Sequence, residues 1–186
     1  MGIVGTLLRN RRAGEAQLAW QRPDLAGPES LELTSAAFAD GAPMPGAQAG
    51  KRVGGQELSP PLAWSGAPAG TAQLLLVIED IDVPMGRPFV HGLALLTPSV
   101  SALPAGALDA STPAVGVRVL RPTFGRGYVG AAPIKGHGPH RYVFQLFALG
   151  DPVDAEGVAT AKPGAVLASV RGPVLARGRL TGTYER

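Results

Sequence analysis

The run Leu74 to Val83, LLLVIEDIDV, constrains this chain more than any other stretch. It opens on consecutive large aliphatic residues, so an extended segment here must be covered on both faces, which makes it a central strand. Polar side chains enter only at its C-terminal end, as Glu79, Asp80 and Asp82, just before Pro84 and Gly86 turn the chain. Phe89 to Leu96 (FVHGLALL) follows as a second apolar strand whose one polar side chain, His91, lies near its start. Antiparallel pairing sets the end of the first strand beside the start of the second. Ionisable groups are thereby gathered at one edge of a sheet.

His140 to Leu149 (HRYVFQLFAL) has the same texture and predicts a third buried strand, again with its polar residues first. Weaker extended pieces are Leu31 to Thr34, Val115 to Leu120 and Leu180 to Tyr184, with a reversal at Asp40-Gly41. Ser59-Pro60-Pro61 forms a stiff corner with Trp64 buried behind it, and Gly164 to Arg177 holds one short helix broken at Gly172-Pro173. The 26 glycines and 18 prolines leave little room for long helices. The expected class is therefore mainly β, an antiparallel sandwich of two sheets with a few short helices. The best helix candidate is Met1 to Gln21, amphipathic, with Ile3, Leu7 and Leu8 on one face and Arg9, Arg11, Arg12 and Glu15 largely off it, stopped by Pro23. We expect it to pack on the domain or to pair two copies in a homodimer. The division is then a helical extension, residues 1–26, and one sandwich domain, residues 27–186.

Several function classes are excluded. The absence of cysteine removes disulfides, thiolate metal sites and cysteine nucleophiles. The net charge of +3 is spread thinly, and the one tight cationic cluster, Arg9 to Arg12, has no aromatic beside it, so no nucleic-acid partner is expected. Every apolar stretch is interrupted before membrane-spanning length, so no integral membrane segment is expected, and we read the chain as soluble and cytoplasmic. Gly46 to Arg52 misses the phosphate-loop spacing. Gly125, Gly127 and Gly130 fit a dinucleotide fingerprint, but Pro133 and Gly136 stand where its helix should begin.

Period-2 geometry points Asp80 and Asp82 to one face, and His140 and Tyr142 to one face, with Arg141 away from the latter pair. Together with His91 these residues form the candidate site, beside the glycine-rich loop Pro122 to Gly138; His137 and Lys135 are expected to be exposed loop residues. Three chemistries fit such a cluster. Loop N–H groups and protonated histidines can hold an anion; two His and two Asp can ligate a metal; paired carboxylates can act as acid and base.

The segments SPPLAW (Ser59 to Trp64), EDIDVP (Glu79 to Pro84), His91 on the next strand, GYVGAAPIKGHGPHRY (Gly127 to Tyr142) and the closing RGRLTGTYER occur here in order. Together they resemble the phosphatidylethanolamine-binding proteins, specifically their bacterial Raf-kinase-inhibitor-like branch, over roughly Leu31 to Arg186. The resemblance implies a Greek-key β-sandwich and a small pocket for phosphate-like anions, with no cofactor and no enzymatic activity. The implied ligand-binding set is Asp80, Asp82, Pro84, His91, Gly130, Ala132, Pro133, His140 and Tyr142. It also implies, as an alternative, a protein partner, a protease or kinase that the chain inhibits; a metal-dependent or acid/base hydrolase is the enzymatic alternative. Ile81, Val83, Ala132, Ile134 and Gly92 depart from the family pattern around this pocket.

Overall fold

The computed structural model describes residues 2–186. In chain order its elements are α1 (Ile3–Leu8), β1 (Glu32–Thr34), β2 (Leu62–Ser65), β3 (Gln73–Asp80), β4 (Phe89–Leu96), β5 (Ala102–Leu103), β6 (Val117–Val119), β7 (His140–Leu149), α2 (Pro163–Ala168) and β8 (Val174–Tyr184). A three-stranded sheet has the order β1-β2-β5 and a five-stranded sheet the order β6-β4-β3-β7-β8, with every strand pairing antiparallel. In the larger sheet β3, β4 and β6 lie side by side and β7 returns to the other flank of β3. That is the Greek-key order.

Strand β3 is central, as its aliphatic run requires, and its two faces serve two cores. Leu74, Leu76 and Ile78 meet Leu33, Trp64 and Leu103 of the small sheet between the layers. Leu75 and Val77 face outward with Leu93, Leu95, Val143 and Phe147, under a cover of Leu18, Trp20 and Leu25 from the N-terminal segment and Val166 and Leu167 of α2.

The N-terminal segment is not the continuous helix expected over Met1 to Gln21. Helix α1 ends at Leu8, and single 3-10 turns follow at Glu15–Gln17, Ala19–Gln21 and Pro23–Leu25. The physical reason lies on the sheet. Ala19 N–H donates to Glu79 Oε2 (2.8 Å) and Trp20 N–H to Gln145 Oε1 (2.7 Å), so the sheet takes donors that a helix would use internally. Gly14, at φ +80°, also breaks a right-handed helix. Within α1 the expected apolar face is solvent-exposed, Ile3 at 76% and Leu7 at 79%. The helix instead rests on its glycines: a Cβ on Gly2 or Gly5 would lie 2.0 or 2.3 Å from the Lys135 carbonyl oxygen.

Strand β8 flanks the large sheet and is its longest strand. Along the side away from β7, Arg177 exchanges backbone bonds with Pro28 and Leu31, and Thr183 with Ala42 and Met44. Thr181 accepts from Gly41 N–H and donates its own N–H to the Asp40 carboxylate.

Candidate functional site

The site forms where β3 ends and β4 and β7 begin. Asp80 stands opposite Phe89 on one side and Tyr142 on the other. Strict alternation along β4 would place His91 with Leu93 and Leu95 on the outer face, away from Asp80. A bulge prevents this. Ile78 pairs with Gly92 but Glu79 pairs with Val90, so His91 is the extra residue. Phe89 and His91 thereby turn to the inner side, where the His91 ring lies edge-on to Tyr142 at 5.0 Å.

A buried relay starts at Asp80. Its Oδ2 lies 2.7 Å from His140 Nδ1, and His140 Nε2 lies 2.8 Å from His137 Nδ1. His137 Nε2 reaches the carbonyl oxygens of Leu8 (2.8 Å) and Arg11 (3.2 Å), which accept only, so this nitrogen carries a proton. Each of the two remaining contacts also needs one proton between its heavy atoms. Three protons on two imidazoles and a carboxylate make the trio electrically neutral. His137 was expected as an exposed loop residue, but it is fully buried and completes this relay. Gly136 and Gly138, at φ +83° and +97°, supply the left-handed backbone that swings it inward. A histidine between two glycines, three residues before His140, was the available signal.

Asp82 does not share a face with Asp80. Strand pairing stops at Asp80, whose Oδ1 accepts the Asp82 N–H at 2.8 Å, and the Asp82 side chain turns to the opposite side. There Arg141 Nε and its guanidinium bond both oxygens (2.8 and 2.9 Å), and Arg12 adds an ion pair at 2.8 Å. Burial works to raise this carboxyl, but the bonds from Arg141 and Arg12 outweigh it and hold it at about 2. The folded value lies below the unfolded value of about 3.9, so the contribution to stability is complete above that pH and is lost as pH falls through about 2. After discounting for solvent screening, it amounts to about 1 to 2 kcal/mol. Urea midpoints of the wild type and Asp82→Asn are expected to differ at pH 5 and to converge towards pH 2; a gap that persists at pH 2 would refute the pairing.

A cavity of about 380 Å³ opens above the relay. Asp80, His91, His140 and Tyr142 form its polar floor, and Pro84, Gly130, Ala132 and Pro133 also line it. Sequence reasoning missed the apolar wall of Val83, Met85, Phe89, Val129 and Ile134. His91 donates Nδ1–H to Val129 O (2.6 Å), leaving Nε2 towards the cavity, 4.0 Å from Asp80 Oδ2. Burial lowers His91 below the ordinary histidine value, against the raising effect of Asp80. Burial, reinforced by the Asp80 charge, pushes the Tyr142 phenol far up, so it stays an O–H donor. Among the described residues that buried hydroxyl makes no hydrogen bond of full geometry, although the Asp80 carboxylate and the Ala132 backbone stand near it. The loop wall is fixed by close approach, since a Cβ on Gly130 would lie 2.4 Å from Gly50 N. Among the described residues no group of three His, Asp or Glu side chains is arranged to hold a metal ion. The two aspartates, facing opposite ways, form no acid/base pair.

An inner-face pocket at one end of a Greek-key sandwich defines a class, and comparison with known proteins gives it a family. The family model described as "Phosphatidylethanolamine-binding protein" matches residues 34–185. The crystal structure of Escherichia coli YbcL, described as a new member of the mammalian PEBP family, superposes with a TM-score of 0.73 at 29% identity, covering 84% of this chain and 99% of that one. A UPF0098 protein of Aquifex aeolicus is 32% identical over 166 residues, 87% of this chain and 92% of its own. The phomoidride biosynthesis cluster protein B of a fungal species is 33% identical over 135 residues, 68% of this chain; that match spans 65% of the fungal protein's length. The chain therefore belongs to the phosphatidylethanolamine-binding protein family, in the bacterial branch that includes YbcL. No helix among the described residues is long and apolar enough to cross a membrane.

Proposed function

We propose that the cavity binds the anionic head of a small ligand, a phosphate ester or comparable group, with the ligand's apolar part against Val83, Met85 and Phe89, and that it binds without transforming it. Family membership supports binding of ligands or proteins in general terms. The observation that carries the finer reading is the Tyr142 hydroxyl: buried, held in its donor form, lining the cavity and making no hydrogen bond of full geometry to Asp80, the acceptor nearby. A buried donor without a full hydrogen bond is costly, and an anion oxygen would satisfy it. The neutral relay supports the same reading, because a bare Asp80 carboxylate would repel an anion by about 4 kcal/mol at 4 Å in a half-screened site.

Calorimetric titration with inorganic phosphate and with glycerophosphoethanolamine tests this. Tyr142→Phe is expected to weaken binding about tenfold, the loss of one hydrogen bond to a charged group, while changing folding stability by less than about 1.5 kcal/mol, since the hydroxyl makes no hydrogen bond of full geometry inside the protein. Equal affinity in wild type and variant would overturn the proposal. In the same titrations glycerophosphoethanolamine, whose diester does not titrate here, is expected to bind more tightly as pH falls below about 6.5, the ordinary histidine value. His91 is lowered, so its protonation and the resulting gain come only there.

A further inference from the structure

On the outer side of the same sheet end lies a larger groove, about 780 Å³, that the family resemblance does not explain. Its floor is Val90, Leu167 and the buried Glu79. Four cations from four separate segments stand around it: Arg22 after the second 3-10 turn, Arg87 before β4, Arg121 after β6 and Lys162 before α2. Arg22 is turned onto Asp24 (2.9 and 2.5 Å). Among the described residues, Arg87, Arg121 and Lys162 have neither ion pair nor side-chain hydrogen bond. Other arginines of the chain do find carboxylates: Arg12 and Arg141 at Asp82, Arg118 at Glu156, Arg177 at Glu29. The carboxyl lining the groove, Glu79, is turned to Ala19 N–H and the Gln145 amide, and burial raises it against the lowering effect of those two bonds and of Arg22.

The frame around these cations is fixed. Thr123 accepts the Val90 N–H at its Oγ1 (2.9 Å) and returns its own N–H to Val90 O (3.0 Å), holding the Arg121–Phe124 segment beside β4. Gln17 Nε2 donates to Gly86 O (2.9 Å), tying the Met85–Pro88 loop to the N-terminal segment. Two large apolar side chains, Met85 (49% exposed) and Phe124 (66% exposed), stand at the rim, and the Phe124 ring lies tilted against Phe89 at 5.9 Å. Unneutralised cations converging on one concavity beside an exposed aromatic ring complement a ligand with several negative charges joined to a flat apolar group.

We infer that this groove is a second binding site, sharing only Met85 with the cavity over Asp80, for a polyphosphate group carried on a planar apolar moiety, as in a nucleoside triphosphate. The cations hold the phosphates by charge and the Phe124 ring receives the planar part.

The probes are sodium tripolyphosphate and ATP, without divalent metal, titrated calorimetrically into the full chain at low ionic strength. Arg87→Ser combined with Arg121→Ser is expected to weaken both probes at least tenfold, and both are exposed surface changes that leave the fold intact. ATP is expected to bind several-fold more tightly than tripolyphosphate, with Phe124→Ser abolishing that difference. Tyr142→Phe is expected to leave both affinities unchanged, which separates this site from the proposed anion cavity. Unaltered affinity in the double variant, absence of binding, or loss in Tyr142→Phe equal to that in the double variant would each overturn the inference.

Discussion

Asp80→Ala is expected to remove about 3 to 5 kcal/mol of folding stability, the scale for breaking one partner of a buried charged pair, and Asp80→Asn less than about 1.5 kcal/mol, the scale of a single hydrogen bond. The contrast follows from the proton count in the relay. Alanine leaves His140 Nδ1 and the Asp82 N–H without their partner and strands the third proton inside the protein. Asparagine restores the pattern. Its Oδ1 accepts the Asp82 N–H, its amide donates to His140 Nδ1, His140 donates onward to His137, and the trio is again neutral. For a chain of this size a loss of 3 to 5 kcal/mol lowers the melting temperature by roughly 6 to 20 °C. Urea unfolding of the two variants decides the matter: asparagine as damaging as alanine would mean that the trio holds a net charge.

A chain lacking residues 2–26 is expected not to form a stable monomer. Leu18, Trp20 and Leu25 are buried at 1%, 6% and 0% exposure, and each contributes about 1.5 to 3 kcal/mol. Removing the segment also strips Glu79 and Gln145 of the Ala19 and Trp20 N–H donors and leaves polar groups facing a bared apolar surface. The combined loss rivals the whole stability of a typical domain. Trp20→Ala gives a milder version that still folds, at about 3 to 5 kcal/mol, because it also removes the ring over which Arg177 (3.9 Å) and Arg179 (5.3 Å) lie. Circular dichroism melts with size-exclusion chromatography test both, and a truncated chain that stays monomeric and melts within a few degrees of the wild type would show the segment to be dispensable.

The large sheet and most of the pocket floor were legible in the chain because burial on both faces writes a continuous apolar run, and such runs mark β3, β4 and β7 with little ambiguity. The polar residues at their ends then had one place to meet. What escaped depends on contacts distant in sequence. The period-2 rule paired Asp82 with Asp80, but it holds only while a strand lasts, and β3 ends at Asp80. The bulge that brings in His91 is a matter of register between two strands, with only Gly92 as a local mark. Apolar spacing suggested a helix through Gln21, yet Glu79 and Gln145, far along the chain, draw its N–H groups to the sheet. Glu79 directly follows the aliphatic run of β3, and Gln145 stands alone among the apolar residues Val143 to Leu149 of β7, a local mark of a polar strap across that face.

The covering of β8 sets how copies of this protein can meet. Open strand edges invite a second chain to add its backbone, the route to runaway fibrous association. Here the backbone of Arg177, Thr181 and Thr183 is already bonded to segments near Pro28 and Ala42, and the position between them carries the Arg179 guanidinium. The opposite edge, β6, offers only Val117–Val119. A homodimer of this chain would therefore gain little by adding backbone at either end of the five-stranded sheet; one built from side-chain surfaces, such as the exposed apolar residues of α1, could be dissolved by substitution at the surface without disturbing either sheet.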